Sequence, residues 1–219
     1  MQDTKMRIYQ KNIKRAFDFF VSLIALVILS PLVFIVAVLI KFRLGSPIIF
    51  KQERPGLNEK VFTMYKFRTM TNEVNSQGVP LPDSVRLTRF GKFLRSTSID
   101  ELPGLFNILM GHMSIIGPRP LLVRYLPYYS EAERKRHSVR PGLSGLAQIS
   151  GRNTLNWEDR LKLDIRYVES VTFLSDVKII LKTIVKAFKR EGVTVVDVAT
   201  LKDLDVERGL HLENKSIND

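Results

Sequence analysis

Residues 16–40 read AFDFFVSLIALVILSPLVFIVAVLI, an apolar run whose single charge, Asp18, lies near its start. No other stretch of the chain is like it, and it restricts the fold more than any other feature. As a helix it rises ~37 Å at ~1.5 Å per residue, enough to cross a hydrocarbon core of ~30 Å. Membrane contact is therefore the first expectation. Ser30-Pro31 divides the run. Proline lacks an N–H and its ring meets the carbonyl of Val27, so a kink or a break is expected there at a cost of ~3 kcal/mol. The two parts then measure ~21 Å and ~14 Å, and neither spans alone. A kinked single span and a re-entrant hairpin both remain open. Lys5, Arg7, Lys11, Lys14 and Arg15 precede the run, and Lys41, Arg43, Lys51 and Arg54 follow it. Positive charge marks the cytoplasmic side. Symmetric flanks favour the re-entrant shape, whereas a single span is the commoner fate of a long apolar run.

Beyond this run, 219 residues with 45% hydrophobic content leave enough chain for one globular body. The expected division is a lead-in and membrane helix over 1–45, a catalytic domain over 46–190 and an acidic tail over 191–219. Seven acids against three bases give the tail a balance of −4, so the first 190 residues carry +16 of the net +12. A basic body beside an apolar anchor suits anionic lipids and phosphate-bearing ligands. Nucleic acid is the other usual partner of such charge, but no helix-turn-helix or aromatic-basic strand motif stands out. The absence of cysteine excludes disulfides, thiolate metal sites and a cysteine nucleophile. His112, His137 and His211 lack metal-site spacing. The apolar run is too long for a typical signal peptide and is expected to be retained. The tail is read as a weakly ordered extension.

Ile48–Gln52 and Val61–Met70 read as strands around a turn at 54–58. A period of two puts Phe62, Met64, Lys66 and Arg68 on one face. Residues 85–95 form a basic helical segment. Ser98 and Glu101 have capping-box spacing, and Pro103 fits the first turn of a helix through Leu105–Met110. Asp100 and Glu101 are read either as a well-made helix start or as carboxylates for a phosphate and a divalent cation. Arg119 lies between two prolines, so its fork is pre-aimed for a phosphate. The loop at 140–153 holds three glycines bracketed by arginines, a weak signal for anion binding. Asn156 is expected to cap a helix through about Val168. Residues 175–189 form an amphipathic helix with Lys178, Lys182 and Lys186 on its basic face. It suits either the headgroup boundary or ordinary core packing.

Taken together, KRAFDF (14–19), Ser30-Pro31, QERPG (52–56), YKFRTM (65–70), SIDELPGLFNIL (98–109), GPRPLL (117–122), RPGLSGLAQISGRN (140–153) and the later Trp157, Asp164 and Tyr167 resemble the bacterial sugar transferase family, the monotopic phosphoglycosyl transferases. The compact size looks most like members that move phospho-diacetylbacillosamine to a polyprenyl phosphate. The resemblance implies an α+β, mostly helical fold. It would have a re-entrant helix broken at Ser30 and Pro31, interfacial amphipathic helices and a small β-hairpin. It implies a body at the cytoplasmic face of the bacterial inner membrane. The implied reaction is attack by Asp100 on the β-phosphate of a UDP-sugar, with loss of UMP. Polyprenyl phosphate then takes the phosphosugar. Mg²⁺ would be held by Asp100 and Glu101, with Glu101 as base or second metal contact. Lys66, Arg68, Arg119, Arg152 and Asn153 would contact phosphate and uridine. His112 stands where the family usually has an acid, and is expected to tune the site without carrying the reaction. The alternative is a membrane-anchored, basic nucleic-acid-binding or regulatory protein.

Overall fold

The computed structural model describes residues 9, 13–151, 155–189 and 202–209. Helix α1, Lys14–Leu44, continues through Pro31 without interruption. The expected break is therefore absent from the helical run. The hydroxyl of Ser30 donates to the carbonyl of Val27 at 2.8 Å, so the acceptor that faces the proline ring keeps a partner. The helix has two unlike faces. Lys14, Asp18 and Ser22, and then Val36, Ile40 and Leu44, are buried at intervals of four, a spacing that keeps one stripe turned inward at each end. Phe20, Ile24, Val27, Ile28, Phe34 and Ile35 are exposed on the rest of its surface. It is the one helix among the described residues long and apolar enough to cross a membrane.

The inward stripe meets the body on both sides of Pro31. Ala25, Leu26 and Leu29 pack with Phe62, Met64, Leu105 and Ile108, while Val36, Ile40 and Leu44 pack with Phe67 and Leu94. The expected hairpin is present, with β1 at Ile49–Pro55 and β2 at Val61–Phe67 in antiparallel register. Its turn falls at 56–60 and not at 54–58, because Arg54 and Pro55 still pair with Phe62 and Val61. Helix α2, Arg89–Ser96, starts where Thr88 accepts from the Gly91 amide. Helix α3, Gly104–Leu109, lies between the hairpin and α1.

Strands β3, Ser114–Ile116, and β4, Gly142–Ser144, form a second, parallel pair. Helix α4, Leu146–Ser150, leads toward α5, Trp157–Glu169, where Asn156 caps as expected by accepting from the Asp159 amide at 2.7 Å. Helix α6, Phe173–Lys189, packs one side against the body and leaves apolar side chains exposed on another. Asp176 and Ile179 are buried, while Leu174, Leu181, Ile184 and Val185 remain exposed. The fold is α+β and mostly helical. Residues 202–209 correct the reading of the tail as a loose extension. Leu204 is fully buried with Tyr125, Trp157 and Leu161, and Arg208 binds Glu133 at 2.7 Å. One buried leucine and a partnered arginine dock this stretch despite its charge.

Candidate active site

Asp100 and Glu101 occupy a 3₁₀ turn, Ile99–Glu101, that feeds α3. Ser98 before them has φ 56°, a left-handed conformation that a non-glycine residue holds only when its surroundings fix it. The expected capping box does not form: Ser98 caps nothing. The Glu101 carboxylate is taken elsewhere, its Oε1 accepting from Lys66 Nζ at 2.9 Å and Arg119 Nη2 at 2.7 Å. Charged donors outcompete a backbone amide. The chain forms a capping box instead at Ser130 and Glu133.

The two neighbours differ sharply. Asp100 is 8% exposed, and its carboxylate enters no hydrogen bond or ion pair among the described residues. Burial, and then the charge of Glu101, push it up to about 6 against Lys66, Arg119 and Arg95. Burial would also raise Glu101, but Arg119 and Lys66 outweigh it and hold that carboxyl down to about 2. Lys66 is lowered by burial and by Arg119. Arg119 is raised, chiefly by Glu101. One carboxylate is thus a fixed anion shared by two cations, and the other has no such partner among the described residues.

Three devices hold this geometry. The fully buried side chain of Asn107 on α3 accepts from the Tyr65 amide at 2.9 Å and donates to the Thr63 carbonyl at 2.7 Å, fastening the helix behind the dyad to the edge of β2 beside Lys66. Gly142 and Gly145 let the 140s loop press against Gly117, since a Cβ would meet Gly117 N at 2.1 Å or Gly117 O at 2.2 Å. Beyond Gly117, the carbonyl of Arg119 accepts from Arg136 at 2.7 Å. Arg136 is itself buried against Asp164 at 2.7 Å.

Of the residues expected from sequence, Asp100, Glu101, Lys66 and Arg119 come together. Arg68 does not join them. Strand β2 ends at Phe67, and the Arg68 guanidinium donates to the carbonyls of Met70 at 2.7 Å and Ser46 at 2.5 Å. It braces the hairpin to the end of α1. Arg152 and Asn153 lie outside the described residues. His112 faces the Phe62 ring at 5.7 Å and has no bond to the dyad. Gly142 and Gly145 serve backbone packing, not an anion nest. Trp157, Asp164 and Tyr167 are framework: Trp157 Nε1 donates to the Lys202 carbonyl at 2.8 Å, and the Tyr167 hydroxyl binds the Ile116 carbonyl and Asp176.

Sequence reasoning missed Asn107, whose signal is an amide among Leu105, Phe106, Ile108 and Leu109. It also missed Arg136, whose burial gives no local signal. No group of three or more acidic, histidine or cysteine side chains is placed to hold a metal ion among the described residues. A magnesium ion often takes only one or two carboxylates and completes its shell with phosphate oxygens and water. Asp100 fits that donor set, whereas Glu101 Oε1 is already shared by two cations.

The site thus sets an acid pair beside Lys66 and Arg119 on a body that carries an apolar-faced helix. Residues 9–190 match the bacterial sugar transferase family, and the chain belongs to it. It is 48% identical over 181 residues to the uncharacterized sugar transferase EpsL of Bacillus subtilis, covering 83% of this chain and 90% of that protein. It is 40% identical over 185 residues to the UDP-glucose:undecaprenyl-phosphate glucose-1-phosphate transferase of Klebsiella pneumoniae. That match covers 80% of this chain and 40% of the longer relative. The exopolysaccharide production protein ExoY of Sinorhizobium fredii is 40% identical over 190 residues, 78% of this chain and 83% of its own.

Proposed function

We propose that the protein is a membrane-bound phosphoglycosyl transferase moving a sugar 1-phosphate from a UDP-sugar to polyprenyl phosphate, with release of UMP. The observation that carries this is the split between Asp100 and Glu101. An acid pushed up to about 6 is largely ionised at neutral pH yet has no partner among the described residues to lose on attacking phosphorus. Its neighbour keeps Lys66 and Arg119 beside the reaction centre. In the first step an Asp100 oxygen bonds to the β-phosphorus and the bond to the bridging oxygen breaks, its electron pair leaving with UMP. In the second, a phosphate oxygen of the acceptor displaces Asp100. Lys66 and Arg119 orient the phosphates and take up the charge that develops on them. Mg²⁺ held by Asp100, with Glu101 as the further candidate ligand, would screen the repulsion between carboxylate and diphosphate.

The acceptor keeps its phosphate at the headgroup level and its chain in lipid, so the catalyst needs a seat in the interface. The outward face of α1 supplies it, continued by Phe173 of α6, whose ring meets Phe17 edge-on at 5.8 Å. A re-entrant course in the cytoplasmic leaflet of the bacterial inner membrane is supported by the contacts of both ends of α1. Lys14 binds Asp176, and Leu44 packs with Phe67 and Leu94. A helix crossing ~30 Å of hydrocarbon would hold its ends on opposite sides. The test is incubation with a panel of UDP-sugars, Mg²⁺ and undecaprenyl phosphate. UMP should appear, and without acceptor a phosphosugar adduct on Asp100 should be visible by mass spectrometry. A folded protein that releases UMP from no donor refutes the reading.

A further inference from the structure

The hairpin turns one more cation toward the dyad. Residues opposite one another in an antiparallel pair share a face, and Phe50, Gln52 and Arg54 lie opposite Lys66, Met64 and Phe62. Phe62 and Met64 are buried against Leu105 and Ile108, and Lys66 reaches Glu101. Gln52 and Arg54 therefore lie on the same side of the hairpin. Both are half-buried, while Lys51 and Glu53 on the other side are exposed.

The Arg54 side chain is held in place but not neutralised. One Nη donates to Gln52 Oε1 at 2.6 Å, the buried Nε has no hydrogen-bond partner, and no carboxylate pairs with the group among the described residues. Burial, and then the proximity of Arg119, push the guanidinium down to about 10. Arg119 acts on both Asp100 and Arg54, so it is close to each. A groove of about 640 Å³ runs over β1 next to Arg54, lined by Phe50, Lys51, Gln52, Glu53, Leu122, Val123 and Arg124. That is the size of a small-molecule site.

We propose that Arg54, aimed by Gln52, binds the α-phosphate of the nucleoside diphosphate donor, the phosphate that departs as the nucleoside monophosphate, with the nucleoside lying along the β1 groove. The assignment rests on the transferase reading above. Asp100 forms its bond to the β-phosphorus, and the bridging oxygen keeps the electron pair of the bond that breaks. Negative charge then builds on the departing phosphate, one bridging oxygen beyond the phosphorus that Asp100 attacks. Arg54 offers that phosphate a cation on the Lys66 side of the hairpin that no carboxylate neutralises among the described residues, and a bidentate fork suits two phosphate oxygens.

The experiment measures UMP and UDP binding by calorimetry to the full chain in lipid nanodiscs, with UMP release measured in parallel. Arg54→Gln should weaken UMP at least tenfold and lower the donor kcat more than it raises the acceptor KM. Arg54→Lys should recover part of both losses. Gln52→Leu should shift UMP affinity the same way by a smaller factor, and Lys92→Gln, exposed on α2, should leave it within twofold. Unchanged melting temperatures guard against misfolding. If wild type binds UMP and Arg54→Gln and Arg54→Lys bind it within twofold of wild type, the assignment is overturned and the transferase reading stands. If wild type neither binds nor releases UMP, the donor reading falls and the assignment falls with it.

Discussion

Buried carboxylates at two places in this molecule are treated in opposite ways. At the head of α1, Asp176 takes three donors: the Tyr9 hydroxyl at 2.8 Å, Lys14 Nζ at 2.6 Å and the Tyr167 hydroxyl at 2.8 Å. Asp18 takes the Ser114 hydroxyl at 2.6 Å and the Ile115 amide at 3.1 Å. In the 3₁₀ turn before α3, Asp100 is also buried, at 8% exposure against 2% for Asp18 and Asp176, and takes none among the described residues. An acid whose lone pairs are filled by the fold is framework, because reaction at it would cost every one of those bonds. An acid buried without partners is held at a free-energy cost, and such a cost is kept where a substrate or ion makes use of it.

The largest expected effect breaks the contrast at its reactive side. Asp100→Asn should reduce UMP release by ~10⁴-fold or more. The same change should raise stability. In the folded protein the Asp100 carboxyl lies above its ordinary value, so its contribution is full below that value and is lost as pH rises through about 6. At pH 7.5, without donor or divalent cation, the ionised group costs ~2–3 kcal/mol that asparagine does not. Denaturant unfolding of the two proteins checks this, and a less stable Asp100→Asn would contradict it.

Asp176→Asn is the counterpart at the satisfied side. It leaves Lys14, 8% exposed, without its counter-charge, and should cost ~3–5 kcal/mol. UMP release per folded molecule should be retained, because the change lies at the head of α1 and not in the dyad. A fall in turnover without loss of stability would erase the distinction between the two regions.

How much of this was legible in the sequence follows the same division. The apolar run, the hairpin, the Asn156 cap and the closeness of Asp100, Glu101, Lys66 and Arg119 were readable, because period, turn chemistry and motif are local or shared within the family. What the charges at the head of α1 do was not readable. Lys14 and Arg15 were counted as flanks facing a membrane surface, yet Lys14 is spent on Asp176, 162 positions away. Arg15 is spent on the carbonyls of Ile108 and Leu109, the last of α3, at 2.6 and 2.7 Å. A partner that arrives from another part of the chain leaves no trace at either position. Arg68 was misplaced for a related reason: alternation along β2 was extended past Phe67, where the strand stops.

A third prediction sharpens the contrast through pH. If Asp100 attacks as the carboxylate, UMP release should fall about tenfold per pH unit below about 6 and level off above it. Glu101, held down to about 2, stays ionised across that range and adds no inflection. Its contribution to stability is present above its ordinary carboxyl range and is lost only as pH falls toward 2. The acid limb is measured at saturating donor between pH 5 and 8. A rate that is flat from 5 to 7 means that Asp100 does not titrate in the working enzyme.

The smallest effect tests whether the satisfied side is satisfied bond by bond. Ser114→Ala removes the hydroxyl that donates to Asp18 Oδ2 at 2.6 Å but leaves the Ile115 amide on Oδ1. Because Asp18 keeps that second donor, the loss should be ~1 kcal/mol and not the several expected when a buried charge loses its only partner. A drop of 3 kcal/mol or more would mean that Asp18 is held by the hydroxyl alone. Its place would then be closer to that of Asp100 than to that of Asp176, and the amide of β3 would be a bystander to the seat of the membrane helix.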